Sequence, residues 1–114
     1  MTRIPCISTL AGLLLAGLAA CSPIRALDAV STGGDAYAVS ADVPYGANAR
    51  QKLDVYTPTS AAPAGGWPLV VFFYGGSWSR GEKHDYGFVG AALARRGVLV
   101  VVADYRLYPE VRYP

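Results

Sequence analysis

Residues 70–81 read Val70-Val71-Phe72-Phe73-Tyr74-Gly75-Gly76-Ser77-Trp78-Ser79-Arg80-Gly81. Four apolar residues and a tyrosine run straight into two glycines, with a serine and a large aromatic just beyond. A strand that served only to fill a core would have no need of such a corner. Glycine takes backbone angles closed to other residues and lets the chain approach a neighbour closely. A corner of that kind exposes N–H groups, and exposed N–H groups stabilise anions.

The flanking residues set the fold class as α/β. Leu69 to Tyr74 is apolar at successive positions, which predicts a strand covered on both faces, as in α/β sheets. After the corner, Asp85 is in place to cap a helix of about Tyr86 to Arg96, with Val89, Ala92 and Leu93 on one face. Arg95 and Arg96 suit the negative end of the helix dipole, and Gly97 suits its stop. Val98 to Ala103 predicts a second strand buried on both faces. Strand, helix and strand over this length make a βαβ unit, for which a right-handed crossover is expected.

Upstream, Tyr37, Val39, Ala41 and Val43 alternate loosely, as an edge strand does, and Pro44-Tyr45-Gly46-Ala47-Asn48 is a turn by composition. Lys52-Leu53-Asp54-Val55-Tyr56 alternates polar and apolar residues and halts at Thr57-Pro58. These two segments are expected to pair antiparallel. Thr59 to Gly66 reads as a flexible surface loop.

The first residues have a different character. Arg3 precedes an apolar run from about Ile7 to Ala20, shorter than the roughly 20 apolar residues that span a bilayer. The small-residue ending marks a processed export signal. Leu18-Ala19-Ala20-Cys21 resembles the lipobox of bacterial lipoproteins, which implies a signal peptide over 1–20, lipidation of Cys21 and a tether over 21–36. Ser22 stands where an Asp would favour retention in the inner membrane, so the resemblance implies an outer-membrane anchor facing the periplasm. The alternatives are an ordinary secretory signal with an incidental cysteine, or an internal start site downstream. The partial domain is then 37–114.

Composition excludes several functions. Of the two cysteines, Cys6 leaves with the signal and Cys21 carries lipid, so neither a disulfide framework nor a cysteine zinc site is expected. One histidine, His84, does not make a metal cluster. The net charge of +2 and the scattered basic residues do not suggest a nucleic-acid surface. No metal or organic cofactor is implied.

Taken in order, Arg50-Gln51-Lys52-Leu53-Asp54-Val55-Tyr56-Thr57-Pro58, then Trp67 to Trp78, then the amphipathic helix, then Gly97 to Glu110 resemble the N-terminal portion of a bacterial α/β-hydrolase. The branch they resemble most is the esterase group related to hormone-sensitive lipase and feruloyl esterase. In that group the strand ends in His-Gly-Gly-Gly followed by Trp or Phe. Here Tyr74-Gly75-Gly76-Ser77-Trp78 departs at the first and fourth positions. The resemblance implies a carboxylic-ester hydrolase acting on a small-molecule ester, with the N–H groups of Gly76 and Ser77 as oxyanion donors, Gly75 supplying the turn and Trp78 packing the loop. Ester hydrolysis develops negative charge on the carbonyl oxygen, and losing one fixed donor costs about 3 kcal/mol. In this branch the histidine replaced by Tyr74 stabilises the loop rather than catalysing, and a tyrosine can keep a hydrogen-bonding tip.

Three residues that suggest a catalytic triad are set aside. Ser79, in Ser77-Trp78-Ser79-Arg80-Gly81, lies one glycine short of a Gly-x-Ser-x-Gly elbow and several residues past the strand. His84 precedes any nucleophile, whereas the family's base follows it, so it is expected to be a solvated residue at the helix start. Asp104, with Tyr105 and Arg106, resembles a structural segment of the family, in which an Arg–carboxylate contact is expected, with Glu110 a candidate partner. No catalytic triad residue is expected in this chain; nucleophile, acid and base are expected beyond Pro114. A full domain of this type runs to roughly 250 residues. The Val98–Ala103 strand is therefore expected to lack a neighbour on one side, as in a truncated, inactive portion of a longer enzyme. The alternative is a small lipid-anchored lipoprotein that binds an apolar ligand without catalysis.

Overall fold

The computed structural model describes residues 35–113. The signal segment, Cys21, all of the tether before Asp35, and Pro114 lie outside the described residues. The elements run β1 (Tyr37–Pro44), β2 (Lys52–Pro58), β3 (Leu69–Phe72), a 3-10 turn (Lys83–Tyr86), α1 (Gly87–Ala94) and β4 (Leu99–Ala103). The four strands form one sheet in the order β1-β2-β4-β3.

The expected antiparallel pair is present, with Tyr37 opposite Pro58 and Pro44 opposite Lys52. A bulge between Ser40 and Val43 interrupts it, and Asp42 sits there at φ 55. The β3-α1-β4 unit also forms, with the two strands parallel, Leu69 beside Leu99 and Phe72 beside Val102. β4 pairs antiparallel with β2 on its other side, Leu53 opposite Ala103 and Tyr56 opposite Val100. Here one expectation is overturned. β4 is flanked on both sides by β2 and β3, and the edge strands among the described residues are β1 and β3.

A second correction concerns coverage. α1 packs on one face of the sheet, where Tyr56, Val100, Val102, Ala91 and Ala94 form the core with Tyr37. Among the described residues nothing covers the opposite face at β3, so Leu69 is 59% and Val71 49% exposed. The apolar run predicts a strand buried on both faces; only its Val70 and Phe72 side faces the helix layer. The strand also ends at Phe72 rather than Tyr74.

The helix starts and stops for different reasons. Asp85 falls within the 3-10 turn instead of capping an α-helix, and α1 begins at Gly87 with no side-chain cap on Tyr86. It ends at Ala94 rather than Arg96, but the stop at Gly97 is the one expected. Gly97 stands at φ 80, its N–H bonds Ala94 O at 3.0 Å, and the Val98 N–H bonds Leu93 O at 3.2 Å. That pair of bonds is the Schellman stop, in which glycine takes the left-handed position. Gly90 lets α1 lie flat on the sheet, since a Cβ there would stand 2.4 Å from the Tyr56 ring.

Candidate functional site

The corner after β3 turns through Gly76 at φ 143, Ser77 at φ 55 and Trp78 at φ 59. Gly76 has no substitute, because a Cβ there would lie 2.0 Å from the carbonyl oxygen of Arg80. Gly75 precedes this left-handed run, and a Cβ on it would meet nothing within 4 Å. The turn closes when the Ser79 N–H bonds Gly76 O at 3.2 Å. The N–H groups of Gly75, Gly76 and Ser77 make no hydrogen bond to any acceptor among the described residues. They border a hollow of about 320 Å³ whose walls include Phe73, Tyr74, Trp78 and Tyr105. Donors fixed on a strained turn beside an open hollow are what an incoming anion requires.

The base of the corner is held by a polar knot. Tyr74, only 2% exposed, stacks between Tyr86 and Tyr105 with ring centroids 5.4 and 4.8 Å away. Its hydroxyl donates to Asp104 Oδ1 at 2.6 Å and accepts from Arg50 Nη2 at 2.8 Å. Asp104 Oδ1 also accepts the Lys83 N–H at 2.8 Å. Arg50 reaches Gly81 O at 2.7 Å and, through Nε, Tyr105 O at 2.9 Å. The Tyr105 hydroxyl donates to Tyr74 O at 2.6 Å, and Tyr108 N–H to Trp78 O at 2.8 Å. Both ends of the 75–81 loop are thereby tied to one cluster. Burial first, then the bond to Asp104, pushes the Tyr74 phenol well above its ordinary value, so it remains a neutral donor.

Tyr74 thus does keep a hydrogen-bonding tip while packing its ring. The Arg–carboxylate contact expected around Asp104 is present, but its arginine is Arg50, 3.6 Å from Asp104 Oδ1, and not Arg106. Glu110 accepts instead from the Asn48 side chain. Trp78 touches Tyr105 at a centroid distance of 5.7 Å yet remains 71% exposed, so it borders the hollow more than it packs the loop. The Ser79 hydroxyl points back to Gly76 O at 3.4 Å. His84 is exposed in the 3-10 turn, as expected.

One cluster beneath the loop was missed in sequence. Lys83 is 1% exposed, with Nζ 2.8 Å from Asp42 Oδ1 and 2.8 Å from Asp54 Oδ1. His84 Nδ1 lies 3.1 Å from the same nitrogen. Burial by itself would lower the Lys83 ammonium, but the bonds to Asp42 and Asp54 outweigh it and hold it above its ordinary value. A signal for this was present: Asp54 shares a strand face with Tyr56, where a charge needs a buried partner.

The profile of the Carboxylesterase family matches residues 52–109, just over half of the chain. The chain belongs to the carboxylesterase family. It is similar to kynurenine formamidase of Danio rerio, 42% identical over 60% of this chain and 23% of that protein. It is also similar to isoprenylcysteine alpha-carbonyl methylesterase of Arabidopsis thaliana, 38% identical over 63% of this chain and 16% of that one. Among solved structures, esterase B of Lactobacillus rhamnosis matches with a TM-score of 0.65 and 26% identity, over 77% of this chain and 28% of that chain. The carboxylesterase chain described here therefore has an α/β-hydrolase fold and spans less than a quarter of the length of these curated relatives.

Proposed function

We propose that this chain supplies the oxyanion-binding portion of a carboxylic-ester hydrolase that acts by serine acyl transfer on a small-molecule ester. The observation that carries the reading is the left-handed Gly76-Ser77 turn, with unengaged N–H groups beside an open hollow. Family membership supports it, as does a structure of the related esterase B inhibited by a tributyrin phosphonate. In the reaction a serine hydroxyl gives its proton to the base as its oxygen bonds the acyl carbon, and the carbonyl electrons move onto oxygen, where the Gly76 and Ser77 N–H groups hold the charge. The ester C–O bond then breaks, the alcohol leaves with a proton from the base, and water releases the acid. The serine, base and acid of this step are assigned to no described residue of this chain. The chain falls in the hormone-sensitive-lipase and feruloyl-esterase branch, and Cys21 carries the lipid that anchors it at the outer membrane.

The test uses the full-length enzyme. Gly76→Ala is expected to lower kcat about 10²-fold, and to weaken a boronic-acid transition-state analogue in parallel while KM changes less. Gly75→Ala is expected to lose less. A Gly76→Ala enzyme with undiminished kcat would refute the assignment. For the anchor, Cys21→Ser should abolish incorporation of labelled palmitate in cells; unchanged labelling would refute it.

A further inference from the structure

Beyond Trp78 the oxyanion hollow gives way to a larger one of about 790 Å³, lined by Ser77, Trp78, Arg106, Tyr108, Val111 and Arg112. Ser77 and Trp78 belong to both hollows, so a ligand carbonyl at the N–H groups would extend one arm into this space. Among the described residues its walls carry two guanidinium groups and no carboxylate. Asp104 is already engaged by Tyr74, Arg50 and the Lys83 backbone, and Glu110 by Asn48. Arg112 rests over the Tyr108 ring, its guanidinium carbon 5.1 Å from the centroid. Arg106 is exposed and makes no hydrogen bond or ion pair with any described residue. The aromatic walls suit an apolar or aryl spacer, and the free guanidinium suits a charged end.

We infer that this second hollow is an anion-selecting subsite, in which Arg106, with Arg112 beside it, receives a carboxylate carried by the ester substrate. The inference rests on the oxyanion reading for its orientation and deepens it by naming the substrate class: anionic esters with a carboxylate separated from the scissile carbonyl by an apolar or aryl spacer. A guanidinium presents paired N–H donors that match a carboxylate, and such charged hydrogen bonds are stronger than neutral ones. Arg106 here is a specificity residue, holding the arm of the substrate away from the reacting carbon.

The probes are 3-phenylpropanoate and its neutral counterpart 3-phenylpropanamide, titrated calorimetrically into the full-length protein. The carboxylate is expected to bind about tenfold more tightly than the amide. Arg106→Gln should abolish that preference, Arg106→Lys should retain part of it, and added salt should weaken it. Equal binding of the two probes, no binding of either, or an unchanged preference in Arg106→Gln would each overturn the inference. Because binding needs no turnover, a protein inactive on every ester would still give an answer. An active enzyme with no carboxylate preference would overturn this inference and leave the ester-hydrolase reading intact.

Discussion

β3 (Leu-Val-Val-Phe) and β4 (Leu-Val-Val-Val-Ala) are nearly interchangeable as peptides, and they lie side by side in parallel, Val70 against Val100. Their surroundings differ completely. Val100 and Val102 have no exposed surface, packed under α1 and hydrogen-bonded into the sheet from both sides. In β3 the partner of Val100 on the same face, Val70, is 37% exposed, and on the other face Leu69 and Val71 are more exposed than Leu99 and Val101 beside them. Side-chain chemistry is therefore not what makes one strand core and the other rim. Position in the sheet does that, and the glycine corner grows from the rim strand, where space for a ligand remains.

Substitutions can break this comparison. Val102→Asp should cost about 4 kcal/mol or more, since it buries an unpaired carboxylate. Val71→Asp should cost no more than about 1 kcal/mol in this chain. Urea melts of the two variants check this, and equal losses would erase the distinction between the strands. Below the covered face, Lys83→Met should cost about 3 kcal/mol by leaving Asp42 and Asp54 without their shared cation. A loss near zero would mean that the ammonium contributes nothing net to holding the loop base on the sheet. On the rim side, Tyr74→Phe should cost about 1–2 kcal/mol through the orphaned Asp104 and Arg50 groups. It should also raise amide hydrogen exchange in residues 75–81 while leaving β4 protected.

The pH dependence sharpens the same contrast with smaller effects. Lys83, Tyr74 and Tyr105 are all held above their ordinary values of 10.5, 10.0 and 10.0. The unfolded chain loses those protons first, so the stability they contribute is full below about pH 10 and fades as pH rises further. Asp42 is held below its ordinary 3.8 by its hydrogen bond to Lys83. Its contribution is present above that value and fades as pH falls through the lowered one. Thermal melts should show a plateau between these limits, and Lys83→Met should shrink both flanks. Flanks unchanged in that variant would assign them to other groups.

Much of the molecule was legible in the sequence because its signals are local. Alternation marked β2, and Gly97 marked the end of α1. The Gly75-Gly76 pair marked the turn that ends β3, and three segments in order marked the family. Other features escaped because they join residues far apart. Lys83 reads as one more charge at a helix start until Asp54, 29 positions earlier, is folded against it. Arg50 sits in an unremarkable turn, yet it reaches Tyr74, Tyr105 and Gly81 at once.

By itself the sequence determined the βαβ unit, the glycine corner and the kinship, since periodicity, turn chemistry and motif order act within short windows of chain. Only the tertiary structure decided that β4 lies inside and β3 at the edge, that Lys83 is buried between two aspartates, and that Tyr74 anchors the loop through Asp104 and Arg50. Those outcomes depend on which strand pairs with which, and two strands of the same composition carry no local mark of their place in a sheet.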